Sequence, residues 1–161
     1  RKQLISLRYN GMVEKEICQE VSLNGRLDAL QAAMLLVNMS RLQAKVHRRR
    51  DIATLYGALL GDVVNCPKEG VDSIHVFYTY IIKCEKRDEL RQFLAIHGVE
   101  TKVHHPILMP KQPAYADLPN FSIPIAEQAV KRILSIPNHE NLTDNQVHYI
   151  ARLIRHFYGK K

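Results

Sequence analysis

The chain has 161 residues, of which 46% are hydrophobic and 24% charged, with a formal net charge of +7 at pH 7 and a sequence pI of about 9.4. This composition is typical of a soluble globular domain and excludes disordered and fibrous proteins. No apolar run approaches the roughly 20 residues of a membrane span, and the first residues lack the apolar centre of a signal peptide. We therefore expect a cytoplasmic protein without a membrane partner.

Residues 1–26 are expected to form an irregular or strand-rich lead-in, because they carry no hydrophobic face of their own. Over residues 28–60 apolar side chains recur at helical spacing, which predicts one long amphipathic helix, bent near Asn38–Ser40. Gly61 and Pro67 end this helix or lie just beyond its end. The apolar stripe consists of Leu27, Leu30, Met34, Val37, Leu42, Val46, Ala53, Tyr56 and Leu60.

Shorter elements are expected after the long helix. The stretches Ile74–Cys84 and Val99–His104 are rich in β-branched residues and predict two strands. Between them, Asp88 is predicted to cap a helix that ends at His97, with Gly98 in the left-handed position just beyond.

Prolines and a capping motif define the last third of the chain. Pro106 and three further prolines up to Pro119 predict an extended loop, and Pro124 is expected to open a helix to about Leu134. The capping box Thr143–Gln146 predicts the start of the last helix. Its apolar face carries Val147, Ile150, Leu153, Ile154 and Phe157.

This order of elements predicts a two-layer α+β domain, with a long N-terminal helix, a sheet of two or three strands and further helices. Too few strands are predicted for a doubly wound nucleotide-binding sheet. The glycine-rich motifs that bind nucleotide phosphates are also missing from the sequence.

The densest basic cluster is Lys45–Arg50, with Arg41 one turn earlier on the same predicted helix. Two interpretations are open, a nucleic-acid-binding surface or a solvated helix face opposite the apolar stripe. Nucleic-acid binding would require aromatic residues between the cations or a known reading motif, and the run contains neither. We therefore favour the solvated face and expect no nucleic-acid partner.

Two adjacent histidines, His104 and His105, stand where a predicted strand meets the proline-rich loop. Consecutive residues of a strand point to opposite faces, so we expect no shared metal ion. The residues alone favour one partly buried and one exposed histidine, although loops at strand ends often carry ligand contacts. Elsewhere there is no nucleophile–base set and no carboxylate pair, and the three cysteines are expected to be buried or inert.

The segment Asn24–Gly25–Arg26 precedes the long helix and admits two interpretations. In an extended chain Asn24 and Arg26 point to the same side, Gly25 lets another backbone approach, and the pair is suited to binding a phosphate or carboxylate. Alternatively, Asn-Gly forms a turn into the helix, with Asp28 as its cap. The residues alone favour the turn.

Ordered segments along the whole chain carry a resemblance to a known family. They are "LRYNGM", "SLNGRLDALQAAML", "RRRDIATLYGALL", "VFYTYIIKCEKRDELRQFLAIHGVETKVHHP", "QPAYADL" and "PIAEQAVKRILSIPNHENLT". In this order and spacing they resemble the C-terminal part of the DegT/StrS class of sugar-nucleotide aminotransferases, which depend on pyridoxal phosphate (PLP). The second segment resembles that family's Asn-x-Arg corner, with Ser22 in place of the usual glycine.

The resemblance implies a role for each candidate residue. Asn24 would contact the cofactor phosphate in the active site of a neighbouring subunit, and Arg26 would lie near the substrate. His104 would line the sugar-nucleotide pocket, and His105 stands beside it where the family often has a tyrosine. The implied partners are a keto-sugar nucleotide, an amino donor such as glutamate, and a second copy of the chain in a homodimer.

The resemblance also implies a division into domains. Residues 1–26 correspond to the tail of the large PLP-binding domain, and residues 27–161 to the small C-terminal α+β domain of a fold-type I PLP enzyme. In the family the Schiff-base lysine lies upstream of the matched segments, so we expect the 161 residues alone to be inactive. A related PLP-dependent sugar dehydratase and a non-catalytic module for dimerisation or sugar-nucleotide binding remain alternatives.

Overall fold

The computed structural model describes residues 1–14, 17–117 and 122–160. By their contacts the residues group into two compact units, unit 1 (Arg1–Gln43) and unit 2 (Ala44–Lys161). Within the described ranges, no helix combines the length and the apolarity that a membrane span requires.

Unit 1 is built from short elements and one longer helix. They are α1 (Lys2–Leu7), β1 (Met12–Glu14), β2 (Ile17–Cys18) and α2 (Ala29–Ser40), with β1 and β2 antiparallel. The sequence predicts strands in this lead-in but not the helix α1. Gly11 is required before β1, because its φ of +69° is left-handed and a Cβ atom there would lie 1.8 Å from the carbonyl oxygen of Glu20.

The predicted long helix is two helices, α2 and α3 (Leu42–Leu60), separated by Arg41. The break lies directly after the predicted bend at Asn38–Ser40, so the bend is confirmed. Only α3 has the expected buried stripe. It buries Ile52, Ala53, Tyr56 and Leu60, whereas α2 buries none of its residues.

Unit 2 combines a small antiparallel sheet with helices. After α3 its elements are β3 (Tyr80–Lys83), α4 (Arg87–Ile96), α5 (Pro124–Arg132), β4 (Ile133–Ile136) and α6 (Asp144–Phe157). The strands β3 and β4 pair along their whole length, and single bridges extend the sheet from Asn65 to Lys83 and from Lys102 to Ser135. Helix α4 packs against α6 and β4, which confirms the predicted α+β class.

One hydrophobic core holds unit 2 together. The largest fully buried side chains are Ile52, Tyr56, Leu60, Tyr80, Ile82, Leu90, Leu94, Leu134, Val147 and Ile154. The rings of Tyr56 and Tyr80 lie 5.1 Å apart, and the Tyr56 hydroxyl donates to the carbonyl of Pro137 at 3.1 Å. Burial raises the pKa of both phenols, so they remain neutral in the core.

The predicted strand Ile74–Cys84 is reduced to its last residues, Tyr80–Lys83. Phe77 interrupts the extended chain because its φ of 44° is left-handed. Its N–H donates to Nδ1 of His75 at 2.8 Å, which holds the interruption in place.

The predicted strand Val99–His104 is reduced to one bridging residue, Lys102. The helix predicted to reach Leu134 ends at Arg132, and β4 follows at once. Short apolar stretches such as β4 fit a helix and a strand equally well, and the tertiary pairing with β3 decides between them.

Helix ends give a mixed result. In α6 the capping box is confirmed, because Thr143 Oγ1 accepts the N–H of Gln146 at 3.3 Å and Gln146 Oε1 accepts the N–H of Thr143 at 2.9 Å. Gly98 has the predicted left-handed φ, +75°. The predicted cap Asp88 is wrong, because Lys86 occupies that position and Asp88 lies in the first turn of α4.

Candidate functional site

The segment Asn24–Arg26 runs extended beside an earlier part of unit 1. Tyr9 forms an antiparallel bridge with the first residue of the segment, and the N–H of Gly25 donates to the carbonyl of Arg8 at 2.9 Å. A Cβ atom on Gly25 would lie 3.8 Å from the Arg8 Cα, which is an ordinary contact. The fold of unit 1 therefore does not itself require glycine here.

Helix α2 begins only at Ala29, after the extended segment has ended. Its N-cap residue, Asp28, makes no side-chain capping hydrogen bond. Upstream, the hydroxyl of Ser22 donates to the carbonyl of Leu7 and ties the segment to α1. The turn favoured by the residues alone is therefore wrong, and the extended alternative describes the chain.

The side chains of Asn24 and Arg26 form one exposed polar group on unit 1. Arg26 Nε donates to Asn24 Oδ1 at 3.2 Å, and the guanidinium carbon lies 4.7 Å from the centre of the Tyr9 ring. Within the described ranges, the amide nitrogen of Asn24 and the terminal guanidinium nitrogens of Arg26 have no hydrogen-bond acceptor. Donors fixed in this way suit a phosphate or a carboxylate, and they fit the phosphate of PLP.

His104 and His105 follow the Lys102 bridge in unit 2. His104 is half-buried with Nδ1 2.9 Å from the hydroxyl oxygen of Ser135, and His105 is exposed, as expected. The ring centroids lie 5.7 Å apart, edge to face. The expectation of opposite faces is wrong, because strand pairing does not continue beyond Lys102.

His104 lines a cleft of about 340 Å³ whose lining residues all belong to unit 2. Lys102, Ser135 and Asn138 also line it. Asn138 Nδ2 donates to the carbonyl of Phe77 at 2.9 Å, while its buried Oδ1 has no partner within the part of the chain that the structure describes. An ammonium, an imidazole and a hydroxyl around one cleft suit an oxygen-rich ligand.

The basic run at the start of α3 is engaged by carboxylates of unit 2. The ion pairs are Lys45–Glu140 (3.2 Å), Arg48–Asp144 (2.7 Å), Arg49–Glu140 (3.0 Å) and Arg50–Glu69 (2.6 Å). The hydrogen bond from Arg50 lowers the pKa of Glu69 to about 2. The backbone N–H of Glu140, with Arg49 and Lys45, lowers the pKa of Glu140 to about 2. This face remains partly exposed to solvent, in keeping with the favoured interpretation, and its cations also join α3 to the rest of unit 2.

The three cysteines differ in their surroundings. Cys84 is buried, Cys66 is half-buried and Cys18 is exposed, so of the expected alternatives, buried or inert, burial does not apply to Cys18. Burial raises the pKa of Cys66 and of Cys84, which keeps both as thiols at neutral pH. Within the described ranges, no three His, Cys, Asp or Glu side chains gather as metal ligands would.

Two residues beside the candidate groups are not singled out by the sequence, Tyr9 and Ser135. Tyr9 lies within the segment "LRYNGM", so the family resemblance offers a signal for it. Ser135 lies within the segment "PIAEQAVKRILSIPNHENLT" and shares that general signal, but no local motif marks its contact with His104, which forms only through folding.

Comparisons with known sequences agree with the resemblance. The sequence pattern of the DegT/DnrJ/EryC1/StrS aminotransferase family matches residues 1–155. A pleiotropic regulatory protein of Geobacillus stearothermophilus is 37% identical over 94% of this chain and 42% of its own length. The UDP-2-acetamido-2-deoxy-3-oxo-D-glucuronate aminotransferase of Pseudomonas aeruginosa is 33% identical over 81% of this chain and 36% of its own length.

Solved structures show the same fold. A DegT DnrJ EryC1 StrS aminotransferase from Brucella abortus is 29% identical, with a TM-score of 0.92 over 98% of this chain and 43% of its own. DesV of S. venezuelae, solved in complex with a ketimine intermediate, is 29% identical, with a TM-score of 0.92 over 99% of this chain and 44% of its own. The chain thus spans about two fifths of the length of these relatives. In sequence and in fold, it belongs to the DegT/DnrJ/EryC1/StrS aminotransferase family.

Proposed function

We propose that this chain is the C-terminal part of a PLP-dependent aminotransferase that aminates a keto-sugar nucleotide in amino-sugar or polysaccharide biosynthesis. The observation that carries the proposal is the Asn24–Arg26 pair, whose extended backbone and unoccupied donors form an anion-binding group. The names of the relatives support the substrate class, since they specify dTDP-, UDP- and GDP-linked sugars. Because the chain spans about two fifths of such proteins, the activity is assigned to the whole protein.

PLP, when bound, supplies the electron sink for amino transfer. We assign Asn24 to its phosphate, because Arg26 occupies the amide oxygen and leaves the amide N–H groups to donate. Arg26 is assigned to an anionic group of the substrate. Its contacts with Asn24 and Tyr9 hold the guanidinium in place before any ligand arrives, which lowers the entropy lost on binding.

His104 and His105 are assigned to the sugar nucleotide. The cleft beside His104 has the cationic and hydroxyl groups that phosphate and sugar oxygens require. The amino donor is proposed to be glutamate, and the location to be cytoplasmic.

A homodimer is supported by the surface of α2. This helix carries no charged side chain, and six of its apolar side chains are more than half exposed in this chain. They are Leu30, Met34, Leu35, Leu36, Val37 and Met39. A contiguous apolar helix of this kind requires a partner surface.

Residues 1–26 are assigned to the large domain and residues 27–161 to the small domain of each subunit.

The proposal is tested by the steady-state kinetics of the whole protein with glutamate and a series of keto-sugar nucleotides. Replacing Arg26 by Ala is expected to raise KM for the accepted sugar nucleotide about tenfold or more, because a charge-assisted hydrogen bond is lost. The matched control is Arg152→Ala, since Arg152 is exposed on α6. Equal kinetics in the two variants, or no amino transfer with any sugar nucleotide, would contradict the proposal.

The 161 residues by themselves are expected not to hold PLP covalently. Borohydride reduction after incubation with PLP traps a cofactor that is bound to a lysine. We expect no single lysine of this chain to be labelled stoichiometrically. A stoichiometric label on one lysine would show that the cofactor is anchored within these residues.

A second candidate is a non-catalytic module that binds sugar nucleotides or dimerises. It is favoured by the His104 cleft, which is lined by residues of unit 2 alone. Isothermal titration of the whole protein with UDP- and dTDP-sugars, combined with the amino-transfer assay above, separates the candidates. Binding without any amino transfer would support the module.

A further inference from the structure

Ser135 is a buried polar residue in strand β4, only 7% exposed. Its N–H donates to the carbonyl of Lys102 at 2.8 Å, and its carbonyl accepts the N–H of Lys102 at 3.1 Å. Lys102, on the side of β4 away from β3, therefore satisfies both backbone groups of Ser135. The remaining polar atom is the side-chain hydroxyl, which needs its own hydrogen-bond partner because it is buried. That partner is His104.

The imidazole of His104 is held at one nitrogen. Nδ1 lies 2.9 Å from the Ser135 hydroxyl oxygen, whereas Nε2 has no hydrogen-bond partner within the described ranges. The backbone that leads to His104 is anchored to the same serine through Lys102. Ser135 thus restrains both the backbone that leads to His104 and the imidazole ring of His104.

We propose that Ser135 is a positioning residue for His104. Its hydroxyl donates to Nδ1 and holds the neutral ring with the proton on Nε2, so that the Nε2 N–H is the donor available to the ligand. A neutral imidazole donates from one nitrogen and accepts at the other, so satisfying Nδ1 as an acceptor selects this tautomer. The oxygens of a diphosphate and of a sugar are acceptors, which matches this tautomer and the Lys102 ammonium in the same cleft. The inference rests on the proposed function, in which His104 contacts a nucleotide sugar.

The test uses the purified protein with ¹⁵N-labelled histidine side chains, observed by NMR. His104 signals are assigned by their loss in His104→Ala, and we expect an acceptor-type Nδ1 and a protonated Nε2. Ser135→Ala is expected to shift these signals towards a mixture of tautomers. It should also weaken the binding of UDP-N-acetylglucosamine or dTDP-glucose about two- to tenfold, as expected for one neutral hydrogen bond.

Two further variants separate positioning from packing. Ser135→Thr keeps a hydroxyl and is expected to restore both the imidazole signals and the binding. Ser73→Ala removes a hydroxyl that donates to the carbonyl of Gly70 on the surface, and it is expected to leave both unchanged.

Unchanged imidazole signals in Ser135→Ala would overturn the inference about Ser135 alone. The imidazole signals are measured without ligand, so they test the role of Ser135 even if neither UDP-N-acetylglucosamine nor dTDP-glucose binds. Unchanged binding in His104→Ala, with a probe that the parent protein binds, would instead overturn the proposed role of His104.

Discussion

Single side chains decide which polar groups of this protein are available to a ligand. The cations of Lys45–Arg50 look accessible in the sequence, yet carboxylates such as Glu140 already hold them in unit 2. Asn24 and Arg26 look like an ordinary helix entry, yet their contact with each other leaves most of their donors unoccupied. Availability therefore depends on partners from elsewhere in the chain, and the candidate site consists of the groups that folding leaves unpaired.

At the residue scale, Asn24→Ala is expected to raise the dissociation constant of PLP from the whole protein about tenfold or more. The physical reason is the loss of an amide donor to a phosphate, a charge-assisted hydrogen bond worth about 1.5–3 kcal/mol. Titration followed by PLP absorbance measures the change. Asn145→Ala, at an exposed position of α6, is the matched control. A dissociation constant equal to that of the control would show that Asn24 does not contact the phosphate.

The acid dependence of stability is also set by single residues. Because Glu140 has a folded-state pKa of about 2, below its ordinary value of 4.5, its backbone hydrogen bond and its ion pairs with Arg49 and Lys45 stabilise the folded state above about pH 4.5. That contribution is lost as the pH falls from 4.5 towards 2. Glu140→Gln is therefore expected to lower the Tm at pH 7 and to differ little from the parent near pH 2. Glu14→Gln is the control, and a difference that persists unchanged in acid would contradict the assignment.

At the scale of elements, a complete local motif places a helix end well, whereas strands are placed poorly. The α6 capping box is complete within Thr143–Gln146, so four consecutive residues carry all the information. Strand β4 has no such signal, because Ile133–Ile136 becomes a strand only by pairing with β3. The same dependence shortens the predicted strand Ile74–Cys84, where the left-handed Phe77 interrupts the chain.

Two glycines in unit 2 are expected to respond in opposite ways to alanine. Gly98 has φ +75° after α4, so Gly98→Ala should destabilise unit 2 by about 1 kcal/mol. Gly57 lies inside α3 and a Cβ atom there meets nothing within 4 Å, so Gly57→Ala should stabilise by about 0.5–1 kcal/mol. Urea unfolding measures both changes. Shifts of the same sign would show that these two backbone conformations are misassigned.

At the scale of the whole molecule, helix α2 has no covering surface, because none of its residues is buried by the described residues. It carries no charged side chain, and six of its apolar side chains are more than half exposed. Helices with this composition are stable in water only when another surface covers them. In the homodimer proposed above, a second copy of the chain would provide such a surface, and Asn24 would reach a neighbouring active site.

The homodimer is tested by Leu36→Glu in the whole protein, which is expected to produce monomers in light scattering. The buried charge would have no partner in the interface, which is costly. Loss of the dimer should also lower the PLP affinity, as predicted for Asn24→Ala, because in the proposed arrangement the phosphate contact comes from the second subunit. Ile125→Glu, on the exposed face of α5, is the control and should remain dimeric. A Leu36→Glu dimer with normal PLP affinity would refute the arrangement.

Much of the fold can be predicted because its signals are local. Apolar spacing over residues 28–60, the bend near Asn38–Ser40, the left-handed Gly98 and the α6 cap each depend on neighbours in the chain. The family resemblance rests on the same kind of information, since it is an ordered series of short segments.

The candidate groups within each unit follow a different rule. The extended course of Asn24–Arg26, the Tyr9 ring under the guanidinium and the Ser135–His104 contact all join residues that are distant in sequence. Helical period and capping motifs encode local hydrogen bonds and one buried face, so they fix the class of fold and the family of this chain. Which donors stay unpaired depends on long-range contacts, and these exist only after the core has formed.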